Sequence, residues 1–356
     1  MGYYEKLLEI RKIKEALLDD ESRILFDARI DYMISRDTDR FYQVIDKLDK
    51  KWYCQELNEK LKKISVKGIV VFGSGHDGKR TKRILDACNY PPHCFCDSDG
   101  GKVGKVVDDL PVISIDDLLT EYQNYLVVLG SMRYSEEMYQ TLVMKGFPND
   151  NILHPAYKMI VAQQGKQYFD LFSPGKDEIF VDGGAYNGDT ITDFLDWTGR
   201  VYNKIYAFEP IDEMLQIIQK RVAQEHKGGG GKCELYQNAL WNKCEEIVFS
   251  EDGASSRVTE TGTKNIMGVG LDEIVGDEKI TYIKMDVEGS ELKALEGARN
   301  TIIRNKPRLA ICIYHKPEDI IELPTYILEL VPEYKFYIRH YCSNMWETVL
   351  YAESNL

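Results

Sequence analysis

The sequence lacks paired cysteines and long apolar runs. Its eight cysteines are scattered over 356 residues and form no C-x-x-C pair, which argues against a zinc knuckle or a disulfide framework. Cys94 and Cys96 lie two apart in HCFCDSD, a spacing that suits buried reduced thiols on a strand. Residues 1–18 carry charges every few positions and fit neither a signal peptide nor a membrane span. We therefore expect a protein of the reducing cytoplasm without membrane insertion.

Positive charge is in deficit. Lys and Arg together number 45 against 58 for Asp and Glu, which gives a formal net charge of −13. That charge opposes docking on polyphosphate or anionic lipid, so we predict no nucleic-acid partner. A chain of 356 residues exceeds one ordinary α/β domain and can bury a core in each of two.

The hydrophobic period divides the chain into four segments. Residues 1–66 have apolar residues at helical spacing and are predicted to form an N-terminal helical segment. Residues 67–155 alternate short strands with helices, as in a small Rossmann-like domain. Residues 156–175 show no strong period and end in a Pro-Gly turn, which indicates a linker. Residues 176–356 restart the alternation and form the main domain.

The main domain has the pattern of an α/β protein. Six predicted strands, among them EIFVDGG, KIYAFEP and EEIVFS, precede a closing pair, KFYIRHY and ETVLYA. Helices lie between most of the six, which predicts a doubly wound, mostly parallel sheet covered on both faces. The closing pair could form an antiparallel hairpin at the edge of that sheet.

The stretch FVDGGAYNGDT places an acid and three glycines at the tip of the first of these strands. In an open α/β sheet the ligand lies beyond the carboxyl ends of the strands, and glycine lets it approach the backbone. Asp182 would repel the pyrophosphate of a dinucleotide. It suits S-adenosylmethionine, which carries a sulfonium and an ammonium and no phosphate.

The runs VDGGAYNGDTITDF, YAFEP, LYQNAL and YIKMDVEGSELKALEGA occur in this order. Together they resemble the FkbM-type S-adenosylmethionine-dependent methyltransferases, over about residues 176–356. The resemblance implies the seven-stranded class I methyltransferase fold with its closing hairpin, and S-adenosylmethionine as cofactor. It also implies methyl transfer to a hydroxyl, with a carbohydrate or glycan precursor as the expected acceptor.

The resemblance implies six cofactor-binding positions at three strand tips. The three in VDGGAYNGD border the methionine end, the acid of YAFEP holds the ribose, and two residues of QNAL border the adenine. The acid could instead cap the next helix, and the asparagine could be a turn residue. The six are Asp182, Gly184, Gly188, Glu209, Asn238 and Ala239.

A methyl transfer to a hydroxyl needs close positioning and a base for the proton. Asp286 and His315 lie at the ends of the predicted strands TYIKMDVEG and RLAICIYH, and we favour His315 as base because its reference pKa is near neutrality. His315 could instead be a helix-capping residue. The resemblance adds Glu288 as support for the base. Asp286 and Glu288 could also hold a divalent cation, but two carboxylates are weak evidence, and we predict no metal.

A second glycine tip, VVFGSGHDGKR, contains G-x-G-x-x-G after a strand and before a helix, and Asp97 follows at the end of the next strand. This pattern keeps open an oxidoreductase that binds NAD(P) or a nucleotide sugar. Against it, the unit is short, with three or four strands, and His76 and Asp77 lie inside the phosphate turn. A non-catalytic binding module is the third alternative. A homo-oligomer is left open.

Overall fold

The computed structural model describes residues 3–48, 50–131, 133–154, 167–225, 231–250, 257–258, 264–342 and 344–354. The contacts divide the chain into two compact units. The larger unit comprises Met1–Phe41, Gly165–Tyr341 and Met345–Leu356, and the smaller comprises Tyr42–Gln164 and Cys342–Asn344. The predicted linker lies outside the described residues over 156–166. The predicted domain boundaries stay predictions.

The N-terminal segment is helical, as the apolar spacing predicts. Its helices are α1 (Tyr3–Ala16), α2 (Asp20–Ser35), α3 (Thr38–Leu48) and α4 (Lys50–Lys63). Helix α2 begins where the Asp19 side chain accepts the backbone N–H of Ser22 at 2.9 Å. Arg29 of α2 donates to the Thr348 hydroxyl at 3.1 Å, so α2 is part of the larger unit.

The smaller unit is a mostly parallel α/β sheet. Its elements are β1 (Ile69–Phe72), α5 (His76–Ala87), β2 (Cys94–Cys96), β3 (Val106–Val107), β4 (Leu110–Ile113), α6 (Ile115–Glu121), β5 (Leu126–Leu129), α7 (Ser135–Met144), a 3-10 turn (Asn149–Asn151) and β6 (Ile152–Leu153). The strand order is β3-β4-β2-β1-β5-β6, with only β3 and β4 antiparallel. The prediction of three or four strands was wrong, because β3 and β6 have two residues each and show no period.

Cys94 and Cys96 lie in β2 as buried free thiols, as predicted. Burial raises the pKa of the Cys94 thiol to about 12, so the thiol is unreactive at neutral pH.

The larger unit continues with alternating strands and helices. Its elements are β7 (Ile179–Gly183), α8 (Asp189–Trp197), β8 (Lys204–Phe208), α9 (Asp212–Glu225), β9 (Lys232–Tyr236), β10 (Ala239–Leu240), β11 (Glu245–Ser250), β12 (Arg257–Val258), β13 (Lys264–Val269), α10 (Leu271–Val275), β14 (Tyr282–Met285), α11 (Glu291–Gly297), α12 (Arg299–Asn305), β15 (Arg308–Cys312), α13 (Asp319–Leu330), β16 (Lys335–His340) and β17 (Thr348–Glu353).

The main sheet has seven strands in the order β9-β8-β7-β14-β15-β17-β16. Strands β7, β8, β9, β14 and β15 are parallel, and β17 is antiparallel to both of its neighbours. The doubly wound sheet and its closing hairpin are thus confirmed. Strand β7 pairs with β8 on one side and with β14 on the other, so the strand order reverses at β7. A ligand crevice is expected at the carboxyl end of this switch point.

The strand EEIVFS does not join the main sheet, and this prediction was wrong. It is β11, in a separate four-stranded sheet of order β10-β13-β11-β12. Ile247 and Phe249 of β11 are buried against Ile266, while Val248 between them is exposed. Such alternation marks a half-buried strand, but does not say which sheet it joins.

An aromatic core lies under the main sheet. Phe180 of β7 stacks on Phe194 of α8 with ring centroids 4.5 Å apart, and Tyr282 of β14 meets Phe180 edge-on. These rings are fully buried and fix β7 against β14, the two strands that flank the switch point. In the described part of the chain, no helix has the length and apolar character to cross a bilayer.

Candidate active site

A buried ion pair lies at the end of β7. The Lys284 ammonium, on β14, is 3.0 Å from an oxygen of the Asp182 carboxylate, and both side chains are almost fully buried. Lys284 also donates to the carbonyls of Gly183 at 3.2 Å and Gly184 at 2.7 Å. The negative charges of Asp182 and Asp286 outweigh the effect of burial and raise the pKa of Lys284. Asp182 holds Lys284 in place, and Lys284 in turn binds the backbone of the glycine turn that follows Asp182.

Two glycines of this turn have the left-handed backbone conformation, which is energetically unfavourable for other residues. Gly184 and Gly188 have φ values of +75° and +79°. A Cβ atom on Gly184 would lie 1.9 Å from the carbonyl oxygen of Asp286, so only glycine lets the tips of β7 and β14 approach this closely. The turn is therefore built around a backbone contact with the strand that carries Asp286.

Glu209 follows β8 and holds the same turn from the other side. Its carboxylate accepts the backbone N–H groups of Tyr186 at 2.8 Å and Ile211 at 2.9 Å. Burial raises the pKa of Glu209 to about 6, although these two bonds oppose the shift. Each carboxylate oxygen keeps capacity for another hydrogen bond.

The two residues predicted to border the adenine lie in the loop after β9. The Asn238 side chain is half-buried and donates to the Met267 carbonyl at 3.2 Å, and Ala239 begins β10 in the side sheet. This hydrogen bond fits the alternative of a turn residue for Asn238. A contact with adenine stays a prediction.

The three residues predicted to be catalytic converge. Asp286 directly follows β14, Glu288 lies in the turn before α11, and His315 lies three residues beyond β15. The Nε2 atom of His315 is 3.5 Å from an oxygen of Asp286 and 3.5 Å from an oxygen of Glu288. Glu288 has a φ of +54°, a backbone that costs about 1 kcal/mol or more in a non-glycine residue. Strain of this kind is common where side chains are held for function.

His315 has a further carboxylate on its other side. Its Nδ1 atom lies 2.9 Å from an oxygen of Glu291, a residue that is completely buried in the first turn of α11. The same Glu291 oxygen accepts the backbone N–H of Val287 at 3.0 Å. The sequence motifs favoured Glu288 over Glu291, an acid in the first turn of a helix, as support for the base, so the contact of Glu291 with His315 was missed.

The charges around His315 set its protonation. Burial lowers the pKa of His315, but Glu291, Asp286 and Glu288 together outweigh this and raise the pKa to about 9. Burial raises the pKa of Glu288 to about 7, against the charge of His315. The near-neutral pKa on which we favoured His315 as base is therefore wrong, because at pH 7 the ring is mostly protonated.

Two tyrosines orient Asp286. The hydroxyls of Tyr168 and Tyr314 donate to its two carboxylate oxygens at 3.0 and 3.2 Å. The nearby Glu347 is mostly buried and accepts a hydrogen bond from Gln167 at 2.5 Å, and burial followed by the charge of Asp286 raises the pKa of Glu347. Asp286 is thus held in one orientation within a negatively charged group of side chains.

In the glycine tip of the smaller unit, the acid of the predicted fingerprint is bonded to neighbouring residues of the protein. Asp97 accepts hydrogen bonds from the Ser74 backbone N–H at 2.9 Å, from the Ser74 hydroxyl at 2.6 Å and from Lys102 at 3.1 Å. The acid of the predicted dinucleotide fingerprint therefore stabilises the turn itself. Nucleotide binding at this tip stays a prediction.

The sheet order, the glycine turn at β7 and the acid that ends β8 together define the larger unit as a class I methyltransferase fold. Residues 182–338 match the family model described as the Methyltransferase FkbM domain. This match agrees with the family that the sequence motifs resemble. The search of curated proteins found no match.

Several solved structures resemble the chain. A methyltransferase FkbM from Methylobacillus flagellatus KT is 21% identical, with 83% of this chain and 92% of that chain covered and a TM-score of 0.49. An rRNA methylase from Streptococcus thermophilus is 18% identical, with coverage of 55% and 96% and a TM-score of 0.35. Fibrillarin from Aeropyrum pernix, in complex with S-adenosyl-L-methionine, is 11% identical, with coverage of 54% and 74% and a TM-score of 0.33.

Proposed function

We propose that the larger unit is an S-adenosylmethionine-dependent O-methyltransferase whose acceptor is a hydroxyl of a carbohydrate or glycan precursor. One observation carries the proposal. The glycine turn and Glu209 lie at the tips of β7 and β8, and the cluster of Asp286, Glu288 and His315 follows β14 and β15, across the switch point. A cofactor on one side and an acceptor on the other would meet at the crevice between them. The acceptor class rests on the FkbM resemblance. The proposed compartment is the reducing cytoplasm, as the sequence led us to expect.

The residues at β7 and β8 divide the work of holding the cofactor. Glu209 would accept the two ribose hydroxyls with the capacity left on its carboxylate oxygens. Asp182 is completely buried and paired with Lys284, so we assign it to shaping the turn, and Gly184 and Gly188 to the close approach of the methionine end. The cofactor supplies the methyl group on its sulfonium, and the protein supplies the alignment.

The residues beyond β14 and β15 would hold the acceptor. The hydroxyl oxygen forms a bond to the methyl carbon while the carbon–sulfur bond breaks and its electron pair stays on sulfur. Most of the acceleration comes from holding oxygen and methyl carbon in line. The hydroxyl proton must also leave, and it would pass to one of the two carboxylates of the cluster, Asp286 or Glu288, or to water.

Replacement of Glu209 tests the cofactor site. S-Adenosylhomocysteine, the product form of the cofactor, should bind the full chain in a calorimetric titration, and Glu209→Ala should weaken binding by about 10- to 100-fold. Two hydrogen bonds to a charged group would be lost, each worth about 1.5–3 kcal/mol and partly replaced by water. The matched control is Glu213→Ala, which removes an exposed acid nearby. Equal affinity in Glu209→Ala and the control would reject the assignment.

A titration with NAD tests the oxidoreductase alternative, and NAD binding without S-adenosylhomocysteine binding would favour it.

The affinity for S-adenosylhomocysteine should also depend on pH. Because the pKa of Glu209 is raised to about 6, its carboxylate is ionised above that pH and protonated below it. At pH 5 about one-tenth of the molecules would be ionised, so the apparent affinity should be about tenfold weaker than at pH 7.5. Titrations at half-unit steps from pH 5 to 8 measure the shift. Glu209→Gln should bind with the same affinity throughout, and an equally steep pH dependence in that variant would place the titrating group elsewhere.

A further inference from the structure

We propose that Asp286, Glu288 and His315 form a binding site for one divalent cation, and that this cation binds the acceptor hydroxyl. The second half of this proposal rests on the proposed methyl transfer, whereas the first half does not. It revises our prediction of no metal, which considered two carboxylates only. The structure adds a histidine as a third donor and a carboxylate behind it.

The distances among the three donors suit a shared cation. One donor atom from each residue lies within 4.8 Å of the others. The Nε2 atom of His315 lies 3.5 Å from each carboxylate. Donor atoms about 2.0–2.2 Å from one metal ion are separated by about 3–3.5 Å. Small side-chain rotations would therefore bring all three donors to bonding distance.

His315 is the independent evidence for a ligand. Its side chain is nine-tenths buried, with 10% exposure. Among the residues that the structure describes, Nε2 has no partner with hydrogen-bond geometry, whereas Nδ1 lies 2.9 Å from Glu291. Nε2 points between the two carboxylates, and a buried polar atom without a bond is costly unless something binds it. A cation between the three side chains would satisfy it.

Glu291 completes the arrangement behind the histidine. Metal-binding histidines commonly present the second ring nitrogen to a carboxylate, which fixes the ring and strengthens the ligand. Glu291 lies 2.9 Å from Nδ1 and is itself held by the Val287 N–H. The hydroxyls of Tyr168 and Tyr314 similarly orient Asp286. Each of these two proposed ligands therefore has an outer partner.

The local charge also calls for a cation. Three carboxylates, from Asp286, Glu288 and Glu291, surround one imidazole. The nearby Lys284 ammonium is already paired with Asp182 and bonded to two carbonyls. Lys316 donates to the carbonyl of Gly289. A cation on Nε2 would replace the proton that the ring holds at pH 7, as metal binding to histidine requires, and would stabilise the three carboxylates in its place.

The donor set indicates the kind of cation. One imidazole and two carboxylates suit Mn²⁺ or Zn²⁺ better than Mg²⁺, which prefers oxygen donors alone. Three protein ligands leave positions open for the acceptor oxygen. A hydroxyl bound to the cation loses its proton to water more readily, and the resulting oxygen anion attacks the methyl carbon while sulfur keeps the electron pair of the broken bond.

The test uses the full chain after treatment with EDTA. Addition of Mn²⁺ should give one bound ion per chain, measured by the loss of the free-ion signal in electron paramagnetic resonance, and Zn²⁺ should displace it. Glu288→Gln and His315→Asn should each weaken Mn²⁺ binding by about tenfold or more. S-Adenosylhomocysteine affinity should stay unchanged in Glu288→Gln. The matched control is Glu318→Gln, which removes an exposed carboxylate three residues after His315 and should bind Mn²⁺ as the original chain does.

The outcomes separate the two proposals. S-Adenosylhomocysteine binding without Mn²⁺ or Zn²⁺ binding would overturn the cation site and leave the methyltransferase. Tight Mn²⁺ binding without S-adenosylhomocysteine binding would support the site and overturn the proposed function. An equal loss in Glu288→Gln and Glu318→Gln would show chelation by surface acids and overturn the site. Glu288 is partly exposed, so Glu288→Gln should fold even if His315→Asn does not.

Discussion

Lys284→Met should lower the free energy of unfolding of the larger unit by about 3–5 kcal/mol. The substitution keeps most of the side-chain volume but leaves the completely buried Asp182 carboxylate without its ammonium partner. Breaking a buried ion pair by removing one partner has a cost of this size, because the remaining charge has lost its water and gained nothing. Urea unfolding followed by circular dichroism measures the change.

Two comparisons make this test specific. Lys293→Met removes a half-exposed ammonium paired with Glu296 at 2.8 Å, and should change stability by less than about 1 kcal/mol. The double variant Lys284→Met, Asp182→Asn removes both charges and should recover a large part of the loss. If Lys284→Met cost no more than Lys293→Met, the ion pair would not be the element that fixes the glycine turn.

The role of Lys284 as the buried partner of Asp182 could not be predicted from the sequence. The run YIKMDVEG was predicted as a strand, and β14 is one, but the lysine within it received no role. Lys284 faces Asp182 because β7 and β14 are adjacent and in a register that pairs these two residues. The two residues are about a hundred positions apart in the chain, and strand register over such a distance depends on the complete sheet. The acid at the end of β7 could be predicted, and its buried partner could not.

The same limit applies to His315. The carboxyl ends of parallel strands β14 and β15 lie at one edge of the sheet. We could therefore predict from the sequence that Asp286 and His315 lie close together. Glu291 follows in the next helix, where an acid is common at the first turn. Its burial against the imidazole depends on how α11 packs, and that packing reversed our argument about the pKa of His315. The strand pattern predicted that Asp286 and His315 lie close together. The pKa of His315 depends on tertiary contacts, which the pattern does not show.

The side sheet shows a related limit. EEIVFS alternates as a half-buried strand should, so its secondary structure was predictable. Its partner β13 lies beyond several residues with turn composition and carries only a weak alternation. Local alternation determines which face of β11 is buried, but the choice of partner strand depends on the chain between them.

Gly184→Ala should destabilise the larger unit by about 2–4 kcal/mol and abolish measurable binding of S-adenosylhomocysteine. The left-handed backbone costs an alanine about 1 kcal/mol, and the new Cβ would lie 1.9 Å from the backbone oxygen of Asp286. That oxygen belongs to the tip of β14, so the clash cannot be relieved by rotating a side chain. The tips of β7 and β14 would have to separate, and thermal unfolding together with calorimetric titration would measure both effects.

Gly188→Ala is the matched control, because its φ of +79° carries nearly the same backbone cost. Its Cβ would meet side-chain atoms of Ile218 at 3.3 Å and Arg221 at 3.4 Å, which can shift. It should therefore lose only about 1 kcal/mol, and any further loss in Gly184→Ala measures the contact between the strand tips. The proposed cofactor turn and the acceptor cluster share this contact, so separating the tips should impair both sides of the switch point. If the two variants lost equal stability, the approach of β7 to β14 would have room for a methyl group, and the close contact would not account for glycine at residue 184.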